Sequence, residues 1–190
     1  GNFLPETQAT EQVFSLENNQ MKVAFTTRGG SVKQVQLKGF RGPDSQFVRL
    51  SGANQDGLDY SIKTGSGPMD RESETAARSS ALHFEFLDSG KTADGNTFIR
   101  FRLMGADTTS YIVHRFQLPN EGYLISQSIA VFGGANRFLD DRILRLNWNY
   151  TAARQEQDLA FEKQNTQVGF IENDEFDYHT IGRTTSHEWE

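Results

Sequence analysis

The sequence predicts an all-β domain of antiparallel strands, arranged as a sandwich or a barrel. Three observations predict it. Apolar residues alternate with polar ones in run after run, Gly-, Asn- and Asp-containing turns separate the runs, and helical periodicity is nearly absent. The 15 Phe fit the same picture, because aromatic rings suit a half-buried pleated surface better than a helix.

Taken in order, residues Asn2 to Gln12 are polar, contain Pro5, and read as a linker. Phe14 and Leu16 then alternate with Ser15 and Glu17, and Val23 and Phe25 alternate with polar or small neighbours. After Arg28-Gly29-Gly30 the alternation resumes at Val35 and Leu37. The stretch Asp56 to Arg78 is rich in Gly, Ser, Asp and Glu and reads as a long exposed excursion. Leu82, Phe84 and Phe86 form the next run, and Ile99, Phe101 and Leu103 another, with Asp94-Gly95-Asn96 between them. Ile112, Phe116 and Leu118 share a parity, as do Tyr123, Ile125, Ile129 and Val131, with Asn120-Glu121-Gly122 between the two sets. Gly and Asn accept the positive φ of tight hairpins, so each of these two pairs is expected to be adjacent and antiparallel. Leu144, Leu146, Trp148 and Tyr150 make the last clear alternation. Ala152 to Gln164 is the one stretch expected to be helical, lying across a sheet edge. No internal repeat is visible.

Bulk properties narrow the function. A chain of 190 residues buries about 70% of its unfolded surface and needs no covalent staples. With no Cys, disulfides and thiolate metal sites are excluded. A net charge of −6 with no cluster of Lys and Arg argues against nucleic acid as a partner. No apolar run approaches the ~20 residues that span a bilayer, and no signal peptide is evident. Gly1 reads as a cloning remnant, so the chain is expected to be part of a longer protein.

Candidate chemistry is sparse. The backbone N–H groups of Arg28-Gly29-Gly30 suit an anion nest, but a strand follows where a helix is wanted, and a turn or bulge is the better reading. His83, His114, His179 and His187 have no metal-ligand spacing; His83 and His114 read as surface or hydrogen-bonded strand residues. Glu172, Asp174, Glu175 and Asp177 lack the pattern of a calcium loop and read as a solvated loop, and Asp140-Asp141 as a charged turn. No cofactor or metal is expected. Asn147, Trp148, Asn149 and Tyr150 are the residue types of a sugar cleft, although the parity of Trp148 with Leu144 and Leu146 predicts a core position.

Two groups of segments carry a resemblance. Phe14-Ser15-Leu16-Glu17-Asn18, Met21 to Phe25, Gly29-Gly30 and Val35 to Lys38 resemble the opening of the periplasmic domain of the YidC family of bacterial membrane-protein insertases. Leu146 to Tyr150, Arg154 to Glu156 and Phe161-Glu162 resemble its later strand and short charged helix. The resemblance covers roughly residues 12 to 184. It implies a β-supersandwich similar to the galactose mutarotases, with one or two short helices, in which Gly29-Gly30 turns the chain between strands. It further implies that residues 1–11 follow a transmembrane helix and that 185–190 lead toward a five-helix insertase core. The implied role is non-catalytic docking of Sec translocon components of the SecDF type, and possible contact with nascent membrane proteins, on the periplasmic side of the inner membrane. The isolated domain is expected to be a monomer. The His motif of the mutarotases is missing, so their activity is not expected. A carbohydrate-binding or aldose-epimerase-like β domain and a ligand-free structural domain are the rival readings.

Overall fold

A computed structural model describes residues 9–50, 57–63, 76–133, 146–151, 154–172 and 174–180. Most of the expected linker, Leu144, Asp140-Asp141 and His187 lie outside them.

The fold is all-β. Strands β1 (Val13–Glu17), β2 (Met21–Thr26), β3 (Ser31–Arg41) and β4 (Phe47–Arg49) form one antiparallel sheet in that order. Next come β5 (Gly57–Lys63) and β6 (Ala76–Arg78), then a 3-10 turn at Ser79–Ala81. Strands β7 (Glu85–Lys91), β8 (Thr97–Met104), β9 (Tyr111–Leu118) and β10 (Ser126–Phe132) form a second antiparallel sheet. Strand β11 (Leu146–Asn149) pairs with β5, which also pairs with β6. Helix α1 (Leu159–Asn165) precedes a separate hairpin of β12 (Gln167–Glu172) and β13 (Glu175–Thr180). Both expected hairpins are present, as the β7–β8 and β9–β10 pairs.

The two four-stranded sheets pack as a sandwich, and the period-two code says why. Strand β2 turns Met21, Val23 and Phe25 inward, β8 turns in Ile99, Phe101 and Leu103, and β9 turns in Ile112, Phe116 and Leu118. Each such side chain stabilises the fold by about 1.5–3 kcal/mol relative to exposure. Rings meet across the layers: Phe25 lies 5.1 Å from Phe116, and Phe14 stacks on Phe86 at 4.3 Å. On the outer face of β8 the alternate residues are cations with partners directly opposite on β7. Arg100 meets both carboxylate oxygens of Asp88, and Arg102 reaches Glu85 at 3.0 Å.

Three expectations need correction. The Asp56 to Arg78 stretch is not wholly an exposed excursion, because β5 buries Tyr60, Ile62 and Asp59. The helix starts at Leu159, not Ala152, where the Asp158 carboxylate accepts from Ala160 N–H at 2.9 Å and Phe161 N–H at 3.1 Å. It buries none of its side chains, so it does not cover an edge with Leu159 as expected. Trp148 is not in the core: it is 70% exposed, and Leu146 is exposed beside it.

Candidate functional site

The glycine pair ties the β2–β3 turn to the second sheet and to His114. Gly29 and Gly30 hold φ of +74° and +52°, between β2 and β3. Gly29 N–H donates to Leu82 O and Phe84 N–H donates to Thr27 O, each at 2.7 Å, so the turn is stitched to the segment that enters the second sheet. Phe84 lies over the turn so closely that a Cβ on Gly30 would sit 2.7 Å from its ring. The ring also lies 4.4 Å from that of His114.

His114 shares the inward parity of Ile112, Phe116 and Leu118, and it is 2% exposed. One ring nitrogen, Nδ1, donates to Gly30 O at 2.8 Å. That fixes Nε2 as the acceptor for the Tyr60 hydroxyl, 2.6 Å away. Burial lowers the His114 pKa to about 4, against a smaller opposing effect of the Gly30 carbonyl, so the ring is neutral at pH 7. Burial likewise raises the Tyr60 phenol, which stays protonated. Both nitrogens of His114 are therefore committed inside the protein. The arrangement clamps a turn; it offers no nitrogen to a substrate.

Beside it, Asp59 on β5 accepts two hydrogen bonds from Arg78, both at 2.8 Å, and one from the Ser80 hydroxyl at 2.7 Å. Burial pushes the Asp59 carboxyl up, but the bonds from Arg78, Ser80 and Asn147 outweigh it and hold its pKa below the ordinary value. Asn147 thus faces the structured side of β11, whereas Trp148 and Tyr150 face outward. The Tyr150 hydroxyl donates to Leu50 O, just past the end of β4. Asn149 pairs with Gly57 in the β11–β5 register. The four residues suited to a sugar cleft are therefore split: one amide is spent on Asp59, one hydroxyl on Leu50, and the indole is open.

A cleft of about 530 Å³ does exist, elsewhere. It lies between the β3–β4 turn at Gly42-Pro43-Asp44 and the segment Arg154 to Gln157, with Phe47, Val48 and Arg49 of β4 along it. Sequence reading missed this cleft because its two walls are more than a hundred residues apart. It also missed Tyr60 and Asp59. The signal for Tyr60 was present in the alternation of Leu58, Tyr60 and Ile62, within a Gly- and Ser-rich neighbourhood. Of the acidic group, Asp174 sits at the β12–β13 turn with φ +65°, and Glu175 and Asp177 lie on β13. Among the described residues no group of three or more His, Asp or Glu is placed to hold a metal ion.

Asn18 ends the first segment of the resemblance and has a defined task. Its Nδ2 donates to Pro119 O at 2.9 Å and Gly122 O at 3.0 Å, and its Oδ1 accepts from Gln20 N–H and Met21 N–H, each at 2.9 Å. One amide thus joins the β1–β2 turn to the β9–β10 turn. Comparison with known proteins points the same way as these residues. Over 169 residues, 88% of the chain, it is 24% identical to the membrane protein insertase YidC of Phocaeicola vulgatus. Over 181 residues, 94% of the chain, it is 25% identical to that of Cytophaga hutchinsonii, and over 172 residues, 90%, it is 22% identical to that of Amoebophilus asiaticus. The chain resembles the YidC insertases. It spans 25% to 27% of the length of these relatives, so the YidC likeness is to one part of them. No protein-family profile matches the chain, and no solved structure does.

Proposed function

We propose that the chain is the periplasmic domain of a membrane-protein insertase, and that it acts there as a non-catalytic docking module for translocon components of the SecDF type. The single observation that carries this reading is the extent of the YidC resemblance: nearly the whole chain, against about a quarter of each relative. The geometry supports the non-catalytic part, since His114 is sealed among Tyr60, Phe84 and Gly30. In this reading residues 12–184 are the domain, with a linker before it and a connection to the insertase core after it.

The reading frame beyond the codon for Glu190 tests the first part: five apolar spans are expected, and a stop codon there overturns it. The docking part is tested in the full-length parent, by co-purification of the SecDF-type component with and without residues 12–184. Equal recovery overturns docking. A polarimetric assay on α-galactose completes the set; mutarotation at the spontaneous rate is expected, and a faster rate abolished by His114→Gln overturns the non-catalytic role.

One observation favours a second reading. Trp148 is 70% exposed on a strand that also carries two Asn, which suits stacking on a sugar ring. Quenching of its fluorescence by a monosaccharide series, lost in Trp148→Phe, would support carbohydrate binding; no change in emission removes it.

A further inference from the structure

The cleft beside β4 brings together the outer edge of a sheet and two guanidinium groups, those of Arg49 and Arg154. Among the described residues strand β4 is the outermost strand of its sheet. Gly42 N–H donates to Gln46 O and Leu50 N–H to Val35 O, each at 2.9 Å, so residues 46, 48 and 50 point their backbone groups at β3. By the alternation of an antiparallel strand, Phe47 and Arg49 point theirs outward. What meets Arg49 O there is a side chain, Gln155 Nε2 at 3.1 Å, rather than another strand.

Arg41, beside the cleft, reaches Ser45 O and lies 4.4 Å over the Phe47 ring; Arg154 donates from Nε to Glu156 O at 2.7 Å and from Nη2 to Gln157 O; Arg49 is exposed. Among the described residues none of these three meets a carboxylate, whereas Lys33, Lys38, Arg78, Arg100 and Arg102 each do. Asp44, the carboxylate in the cleft lining, accepts from Gln46 N–H. The lining thus carries two guanidinium groups and one carboxylate, on a chain of net charge −6.

We propose that this edge and cleft bind an extended polypeptide segment carrying carboxylate side chains, which pairs with β4 as a further strand. The inference rests on the docking reading above and names its surface. The outward N–H and C=O groups of Phe47 match a peptide backbone, as in other cases of strand addition. The exposed guanidinium of Arg49 matches a carboxylate in two-pronged geometry. An anionic lipid surface offers no alternating donors and acceptors and is repelled by the chain's net charge.

The test uses the 190-residue chain, labelled with nitrogen-15, and three short peptides: alternating Val and Glu, alternating Val and Lys, and the Val/Glu peptide N-methylated at every second residue. The Val/Glu peptide is expected to shift the amide signals of Phe47 and Arg49. Arg49→Ala should weaken it by about tenfold, the order expected for losing a hydrogen bond to a charged group, with an unchanged urea midpoint because Arg49 is exposed. The N-methylated peptide should fail to bind. Equal binding of the Val/Lys or the N-methylated peptide, shifts confined to the β12–β13 hairpin, or no binding at all each overturn the proposal. If the full-length parent still retains its SecDF-type partner when Arg49 is Ala and the peptide does not bind, the surface is wrong and docking stands. If no partner is retained by the unaltered parent, docking itself falls.

Discussion

Gly30 and His114 carry opposite halves of one contact, and each makes a prediction. At Gly30 the backbone is left-handed and the Phe84 ring, itself fully buried, occupies the place of a Cβ. Gly30→Val therefore adds backbone strain of about 1–3 kcal/mol to overpacking of similar size. The urea midpoint should fall sharply, and an unchanged midpoint would mean that the turn can re-form with Phe84 displaced. At His114 the expectation concerns acid. An unfolded His titrates near 6.5, roughly, and the buried one near 4. Between those values the unfolded chain binds more protons, so stability is intact above the upper one and is lost as pH falls through the window. The total loss is on the order of 3 kcal/mol. Glu11, Asp59 and Asp88, whose pKa values are lowered, act only as pH falls toward their unfolded values of about 4. The slope of urea midpoints above that range thus belongs to His114, and His114→Gln should flatten it. A slope of undiminished steepness would assign the acid sensitivity to another group. The glycine turn was legible in the sequence because two adjacent glycines between strand runs have few other uses. The burial of His114 was legible too, in its parity with Ile112 and Phe116, but a polar residue type obscured it.

At the scale of elements, alternation identified strands better than it identified their faces. In β8 the two are inseparable, because Arg100 and Arg102 cannot be the buried set when Ile99, Phe101 and Leu103 are the alternative. In β11 both sets are plausible, and the outcome depends on where the strand attaches. It joins the edge of β5, where Asn147 finds Asp59 and the indole of Trp148 finds water. Period two in a sequence contains no record of that neighbour. Helix α1 shows the same gap from the other side. Its start is written in Asp158, a capping residue, yet no apolar stripe marks its length, and Leu159 and Phe161 remain exposed. Glu162 adds a second fixture by accepting from Gln155 N–H at 2.9 Å. A helix of 7 residues with nothing buried depends on such ends. Asp158→Ala should cost it about 1 kcal/mol, seen as loss of helical Cα shifts over Leu159 to Asn165 with the strand shifts unchanged. Retention of those shifts would show that the helix is held by its surroundings instead of its cap.

For the whole molecule, the distribution of the core along the chain is the governing fact. Among the described residues every member of the buried cluster lies between Met21 and Leu118, and the partly buried residues packed on it extend from Phe14 to Val131. Beyond that, β11 is fastened to β5, and among the described residues β12 and β13 pair only with each other. Cross-strand partners Ile171 and Phe176 leave one face of that hairpin open, at 74% and 71% exposure, with Phe176 lying against Gly169. Two strands alone are marginal in water. The β12–β13 hairpin is therefore expected to add little to the stability of the sandwich. Ending the chain after Thr166 removes the hairpin but keeps both four-stranded sheets, β5, β11 and the capped helix. The shortened chain should keep its far-UV β spectrum and a urea midpoint close to that of the full chain. It should also retain binding of the Val/Glu peptide, because β4, Arg49 and Arg154 are all still present. A collapse of the midpoint would show that the hairpin completes the core, and loss of peptide binding with an intact midpoint would move the docking surface from the β4 edge to the open face of Ile171 and Phe176.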